Sequence, residues 1–205
     1  ICISKACRDT CRELLNINSN SQIAIECIYP LVKLNKYVNE TSFLKKNSND
    51  KVKFLFVSSN FLLKGGYEVI EIFKGIDNSK VELTIISRRQ GIRKECLDYI
   101  DARENISFIE FNLSYEKLEK IYSEHDVLLH LTRQDSFGLV ILEAMKAGMA
   151  IISSTQYAIP EMVQDGYNGY LVDNKYEFFN KRNVPNESVW NNRSKTIYKE
   201  YLDEN

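Results

Sequence analysis

Short apolar segments alternate with longer amphipathic segments along most of this chain. Residues 52–58, 81–87 and 127–131 are runs of mostly apolar side chains with the length of buried strands. Residues 67–74 and 115–122 instead place apolar side chains at the spacing of one helix face. This alternation predicts an α/β fold, a Rossmann-like parallel sheet with helices on both faces. The predicted elements are residues 52–58, 67–74, 81–87, 92–100, 106–111, 115–122, 127–131, 138–147 and 151–153.

The composition limits the classes of protein to which this chain can belong. The chain has 205 residues, 44% of them hydrophobic, which suffices for one substantial core but not for two full domains. A formal net charge of −1 provides no basic field, so we expect no nucleic-acid partner. No apolar run approaches the ~18 residues of a membrane-spanning helix. Five cysteines without a C-x-x-C pair, and only two histidines, predict reduced cytosolic thiols and no metal site.

Two carboxylates, Asp135 and Glu143, flank a predicted helix start. Either Asp135 or Ser136 can cap a helix that opens near Phe137, and Gly138 lets a ligand approach the backbone amides of the first turn. Those amides and the positive end of the helix dipole favour a phosphate. Gly138 and Glu143 are separated by roughly 7.5 Å along a helix. This is about the separation between the diphosphate and the ribose hydroxyls of one nucleotide, so a single ligand can contact both positions.

Glu143 has two candidate partners. The helix after Gly138 is apolar on nearly all sides, so we expect it to be buried, and a buried carboxylate needs a partner. The diol of a ribose would be a suitable partner. Alternatively, Glu143 pairs with Lys146 on a narrow exposed stripe, which is worth roughly 0.2 to 0.5 kcal/mol. The helix pattern alone leaves both options open.

The segments that follow carry a family resemblance. Residues 135–148, then Ile-Ile-Ser-Ser at 151–154, then residues 159–172 with their Pro160-Glu161 pair, resemble the donor-binding half of retaining GT-B glycosyltransferases of the family 4, or glycosyl transferases group 1, type. The resemblance implies the C-terminal half of a GT-B fold and transfer of a hexose from a nucleoside-diphosphate sugar. It implies no cofactor and no metal. Glu161 and Pro160 are interpreted as structural, with Pro160 in the first turn of a short helix.

The same resemblance assigns roles to residues of the motif. It implies that Asp135 contacts the transferred hexose and that Glu143 contacts the ribose hydroxyls. Relatives usually have a glutamate at the first of these positions, so the carboxylate arm is shorter here. The diphosphate would contact the backbone around the helix start, at Phe137, Gly138, Leu139 and Val140.

A second candidate patch lies in the loop after the first strand of the predicted sheet. Lys64 precedes a glycine pair and an amphipathic helix, and the resemblance implies that it donates to the diphosphate. Many relatives have an arginine five residues earlier, where this chain has Ser59. Ser59 and Asn60 can still hydrogen-bond phosphate or sugar. Arg133 could supply the missing charge from the other patch, although a surface position is the favoured interpretation. Because both patches follow strands, they should share one edge of the sheet.

The resemblance also suggests a domain division. Residues 1–45 would be a remnant of an N-terminal acceptor domain plus the interdomain linker, with short strands at 1–4 and 23–28 around a helix at 5–15. The alternative is that these elements extend one sheet. Residues 46–175 would bind the nucleotide sugar, and residues 176–205 would form a tail helix. A start at Ile1 without methionine suits a fragment, which we expect to bind donor without transferring sugar.

The functional hypothesis is a hexosyltransferase of polysaccharide or glycoconjugate biosynthesis. Its glycan or lipid-linked acceptor would bind through the missing domain. We expect a cytoplasmic location, with peripheral association at the inner face of the membrane as an option for the full-length protein. Two alternatives remain: a GT-B nucleotide-sugar epimerase, or a non-catalytic module whose donor site has decayed, as Ser59 and Asp135 would suggest. A catalytic role for His130 is disfavoured, because a histidine that ends an apolar strand is commonly packed.

Overall fold

The computed structural model describes residues 1–33, 36–37, 51–173 and 186–187. The predicted tail helix and most of the predicted linker lie outside these ranges. Within them, no helix is both long enough and apolar enough to cross a membrane.

The described core contains one sheet of six parallel strands in the order β3-β2-β1-β4-β5-β6. The α/β prediction is therefore confirmed. The final strand was not predicted, because Asp165-Gly166 and Asn168-Gly169, which lie immediately before it or at its start, are typical of turns. The strands are β1 (Val52–Val57), β2 (Val81–Ser87), β3 (Ile106–Glu110), β4 (Val127–His130), β5 (Ala150–Ser154) and β6 (Gly169–Val172).

Helices cover both faces of the sheet. The helices are α1 (Lys5–Leu14), α2 (Gly66–Gly75), α3 (Lys94–Asp101), α4 (Tyr115–Ser123), α5 (Leu139–Lys146) and a 3-10 turn at Ile159–Glu161. Successive side chains of a strand point to opposite faces. Phe56 of β1 accordingly packs with α2 and α3, whereas its neighbours Leu55 and Val57 pack with α4 and α5. Each face thus has its own apolar core.

The order of the strands reverses between β1 and β4, which lie side by side at the centre of the sheet. In open α/β sheets, ligands bind beyond the carboxyl ends of the strands at such a switch point. The loops that follow β1 and β4 are in close contact there. A Cβ atom at Gly65, whose φ is +81°, would lie 2.2 Å from the carbonyl oxygen of Leu131. Only glycine allows this approach.

The amino-terminal segment differs from its prediction. Residues 1–4 and 23–28 do not form strands: Cys2 and Cys27 make a single parallel bridge, which is not part of the six-stranded sheet. The predicted helix between them is present as α1. Its Ala6 is buried against Phe137 and Ala158. Residues 1–33 therefore do not extend the main sheet, as the alternative interpretation would have required.

Candidate functional site

A shared carboxylate lies at the junction of the two loops. Oδ2 of Asp135 is 2.7 Å from Nζ of Lys64 and 3.0 Å from Nε2 of His130. Lys64 also donates to the carbonyl oxygen of Gln134. Lys64 arrives from the loop after β1, and His130 is the last residue of β4. The structure therefore brings Lys64 and Asp135 together, as expected if both predicted patches share one edge of the sheet.

The protonation states in this cluster follow from its charges. Burial alone would raise the pKa of Asp135, but the hydrogen bond from His130 and the charge of Lys64 outweigh it and hold that pKa well below its usual range. Burial lowers the pKa of His130, although Asp135 opposes the shift. Because the ionised carboxylate only accepts hydrogen bonds, the proton of neutral His130 sits on Nε2. Asp135 is therefore an anion whose Oδ2 is held by two side-chain donors.

Arg133 was expected at the surface, and that expectation is wrong. The side chain is only 7% exposed and pairs with Glu68 of α2. Its backbone amide donates to the carbonyl oxygen of Leu63 at 2.9 Å. A buried guanidinium needs a partner, and the packing of α2 beside the β4 loop places Glu68 next to it. Arg133 thus joins the two loops and its charge is already paired.

The start of α5 also differs from its predicted form. Gly138 occupies the cap position with a φ of +90°, and no side chain caps the helix. Asp135 accepts a hydrogen bond from the amide of Phe137 at 3.3 Å, one residue before that cap. The helix cannot begin at Phe137, because the left-handed backbone of Gly138 interrupts it. The prediction that Asp135 or Ser136 caps the helix is therefore wrong.

The uncapped helix end leaves amide hydrogens for a ligand. Among the described residues, the backbone N–H groups of Leu139 and Val140 have no protein acceptor. Four such groups are left over at the start of any helix, and they favour anions. Phe137 is different: its ring is buried with Ala6 and Ala158. Any contact between Phe137 and a ligand would have to involve the backbone.

The helix itself is less buried than predicted. Only Ile141 and Ala144 are buried in α5, and the side chain of Leu139 is 52% exposed. Lys146 does not pair with Glu143. Its Nζ lies 3.0 Å from Glu119 of α4 and 2.6 Å from the hydroxyl of Tyr115. The alternative interpretation, an exposed pair of Glu143 with Lys146, is therefore wrong.

Glu143 is partly buried and faces α4. Its Oε2 accepts a hydrogen bond from the hydroxyl of Tyr122 at 3.1 Å. Burial raises the pKa of Glu143, while that hydrogen bond and the charge of Lys146 oppose the shift. Tyr122 packs with Val57 and Ile86, which lie at the carboxyl ends of β1 and β2. The second oxygen of Glu143 has no hydrogen-bond partner in the part of the chain that the structure describes.

Smaller polar groups line the same edge. Ser59 and Asn60 are exposed after β1, and Oδ1 of Asn60 accepts the amide of Leu63 at 3.0 Å. Ser87, at the end of β2, is fully buried, and its hydroxyl has no hydrogen-bond partner among the described residues. Sequence reasoning missed the bond between His130 and Asp135. The position of His130 at a strand end, five residues from Asp135, was the available signal.

The family model for glycosyl transferases group 1 matches residues 38–182. The chain belongs to this family. It is 30% identical over 157 residues to an uncharacterized 41.2 kDa protein in the cps region of Klebsiella pneumoniae, covering 75% of this chain and 42% of that protein. It is 26% identical to an uncharacterized glycosyltransferase of Methanocaldococcus jannaschii, covering all of this chain and 54% of that protein. The chain thus spans about half the length of these relatives.

Solved glycosyltransferases share the fold. The apo form of the lipopolysaccharide outer core galactosyltransferase WaaB matches with a TM-score of 0.64 at 18% identity, covering 85% of this chain and 48% of that one. Anabaena HepE in complex with UDP matches with a TM-score of 0.59 at 20% identity, covering 84% and 49%. These likenesses confirm the prediction of a Rossmann-like half of a GT-B fold.

Proposed function

We propose that this chain is the donor-binding domain of a retaining glycosyltransferase of the family 4 type. The parent enzyme would transfer a hexose from a nucleoside-diphosphate sugar to a glycan or lipid-linked acceptor. One observation carries the proposal: the Lys64–Asp135 pair and the uncapped start of α5 converge where the strand order reverses. That HepE was solved in complex with UDP supports a nucleoside-diphosphate donor.

Lys64 can serve the diphosphate without losing its present partners. An ammonium group has three donors, and the protein uses two of them, for Gln134 and Asp135. The third would donate to a phosphate oxygen, beside the amides of Leu139 and Val140. Together these groups would stabilise the charge that develops on the departing diphosphate.

The two carboxylates would hold the rest of the donor. Asp135 accepts only a long bond from Phe137 on Oδ1, so that oxygen can also accept a hexose hydroxyl. Glu143 would accept the ribose hydroxyls with the oxygen that Tyr122 leaves available. Catalysis would then consist of positioning and charge stabilisation, and no metal or cofactor is proposed for this reaction. Retention would follow from attack on the face of the sugar from which the phosphate departs.

The acceptor side lies outside this domain in our proposal. The acceptor would bind through a further, N-terminal domain of the GT-B pair, so the present chain should not transfer sugar alone. The relative encoded in a cps region supports a role in polysaccharide biosynthesis. Action on a lipid-linked acceptor would require the parent enzyme to work at the cytoplasmic face of the membrane.

Two other functions would use the same fold. A nucleotide-sugar epimerase would convert the donor without any acceptor, and a decayed module would bind no donor. The intact Lys64–Asp135 pair favours a working donor site over a decayed one, because a buried pair with no task is costly to keep. Product analysis of a donor incubated with the protein distinguishes the epimerase.

Calorimetric titration with UDP, GDP and ADP, each with and without a hexose, tests the proposal. We expect one nucleotide to bind, and the Glu143→Gln variant to weaken that binding by about 1.5 to 3 kcal/mol, because a charged acceptor of the ribose diol is lost. The exposed Glu104 offers a control, since Glu104→Gln should leave affinity unchanged. Equal affinity of the Glu143→Gln and wild-type proteins would contradict the ribose assignment.

A further inference from the structure

Three cysteine thiols cluster at the amino-terminal end of the chain. The sulfur atoms of Cys2, Cys7 and Cys11 all lie within 4.8 Å of one another, and those of Cys2 and Cys11 are 3.7 Å apart. Cys2 is buried, and the other two are partly buried. All three are free thiols. The donor site described above uses none of them.

The spacing of the sulfur atoms matches that of a metal site. In a tetrahedral zinc site the Zn–S bonds are about 2.3 Å long, which places neighbouring sulfur atoms about 3.8 Å apart. The observed 3.7 Å between Cys2 and Cys11 is close to that edge of the tetrahedron. A disulfide would instead require a sulfur–sulfur separation of about 2 Å.

The backbone positions these thiols independently of any ligand. Cys7 and Cys11 are four residues apart on α1, so they lie on one face of the helix. Cys2 is fixed by its bridge to Cys27, and the hydroxyl of Ser4 caps the helix by accepting from the amide of Cys7. A site formed this way needs little rearrangement to bind an ion.

We propose that Cys2, Cys7 and Cys11 form a three-thiolate site for a thiophilic divalent metal ion, zinc above all, with the fourth position open to solvent. The sequence predicted no metal site, because the C-x4-C-x3-C spacing contains no C-x-x-C pair. Thiols bind zinc as thiolates, so the ion must displace a proton from each of the three cysteines. Bound metal would tie the segment before α1 to the helix.

Sulfur is the only ligand type that the three members of the cluster offer. Soft thiolate ligands select zinc and its heavier congener cadmium over magnesium or calcium. Cadmium therefore serves as a spectroscopic probe, because its thiolate complexes have an ultraviolet charge-transfer band that oxygen ligands do not produce.

Titration of the fully reduced, chelator-treated chain with Cd²⁺ tests the site. We expect a charge-transfer band that saturates at one ion per chain and disappears when zinc is added in excess. Cys7→Ser and Cys11→Ser should each weaken Cd²⁺ binding about tenfold or more, since each removes a direct ligand. Cys96→Ser, which alters a thiol of α3 outside the cluster, should leave both the band and the affinity unchanged.

Circular dichroism checks that each variant keeps its helix content, so that lost binding reports on the site. The proposal is overturned if the reduced wild-type chain shows no saturable band. It is equally overturned if the two cluster variants bind Cd²⁺ as tightly as wild type, or if Cys96→Ser weakens binding as much as they do. Mass spectrometry that finds a Cys2–Cys11 disulfide persisting under the reducing conditions would also overturn it.

Discussion

Asp135 is both charged and largely buried, and in our proposal it also binds a ligand. Its carboxylate is 14% exposed and is held by the ammonium of Lys64 and the imidazole of His130. Those contacts keep it ionised at any ordinary pH. His130 stabilises this carboxylate through the hydrogen bond that its Nε2–H donates, because the ring itself is neutral. It is therefore a positioning residue in our proposal, and it does not need to touch the donor.

His130 should make stability depend on pH. Its pKa is lowered in the folded chain, mainly by burial, so the unfolded chain binds more protons than the folded chain just below the usual histidine pKa of 6.5. The free energy of unfolding should therefore fall as the pH drops from 7 towards 5. Urea denaturation at several pH values measures this slope.

The His130→Gln variant isolates that contribution. Glutamine can still donate to Asp135 but does not titrate, so the slope between pH 7 and 5 should become smaller. His125, whose pKa is also lowered chiefly by burial, lies elsewhere and would keep its own share of the slope. An identical pH dependence in His130→Gln and wild type would be inconsistent with a neutral, buried His130.

At the scale of elements, the start of α5 depends on one glycine. Gly138 has a φ of +90°, and a Cβ there would lie 3.2 Å from Cδ1 of Ile141. Gly138→Ala should destabilise the fold by about 1 to 2 kcal/mol, the usual penalty for a left-handed residue with a side chain. It should also weaken nucleotide binding, since the new methyl group crowds the free amides. Thermal unfolding and calorimetry measure the two effects.

Gly75 provides the matched control. A Cβ at that position, at the end of α2, has no neighbour within 4 Å, and its φ is not left-handed. Gly75→Ala should therefore be neutral or slightly stabilising. If Gly138→Ala behaves like Gly75→Ala in both measurements, the strained start of α5 is not important for stability or binding.

The start of α1 is held by a residue far away in the sequence. Oε1 and Oε2 of Glu161 accept the amides of Ala6 and Lys5 at 2.8 and 2.9 Å, and Oε2 also accepts the hydroxyl of Tyr29 at 2.6 Å. The structural role predicted for Glu161 is therefore to cap α1. It satisfies the otherwise unpaired amides of another helix and complements the dipole of that helix.

Glu161→Ala should loosen α1 without unfolding the sheet. Loss of a helix cap costs about 1 kcal/mol. Ala6 is the one buried residue of α1, while the Ser4 cap and the contact of Thr10 with Tyr157 remain in the variant. Hydrogen exchange of the α1 amides should become faster, while exchange in β1 and β2 stays the same. Glu104→Ala serves as the exposed control. Unchanged exchange in α1 would show that the cap contributes nothing there.

At the scale of the whole molecule, our proposal gives the chain one half of a site, the half that binds the donor. The loops after β1 and β4 meet at the switch point, and in our proposal their groups bind the nucleotide sugar and not the acceptor. The chain spans about half the length of the relatives it matches. Donor binding and sugar transfer should therefore be separable properties.

We expect the chain to bind a nucleoside diphosphate but to show no transfer of hexose to added glycan acceptors. Release of labelled sugar product over hours, compared with a boiled sample, measures transfer. Robust turnover by these 205 residues alone would refute the division into a donor and an acceptor domain. Addition of the N-terminal half of a parent enzyme should restore activity if the division holds.

The sequence by itself determined the strands β1 to β5, the helices between them and the edge at which the candidate site lies. These features depend on the periodicity of neighbouring residues and on the geometry of parallel sheets, so they can be predicted locally. The weak pattern of β6 shows the limit of that approach. Its glycine and its exposed tyrosine are not typical of a buried strand, and the strand is specified by its pairing with β5.

Only the tertiary structure decided which charges meet. Lys146 pairs with Glu119 and not with Glu143, Arg133 pairs with Glu68, and Glu161 caps a helix that begins 156 residues before it. Such pairings join residues that are distant in the chain, and they are chosen by burial, because a charge removed from water must take whichever partner the packing provides. The positive φ of Gly138, and with it the real start of α5, was fixed by the same packing.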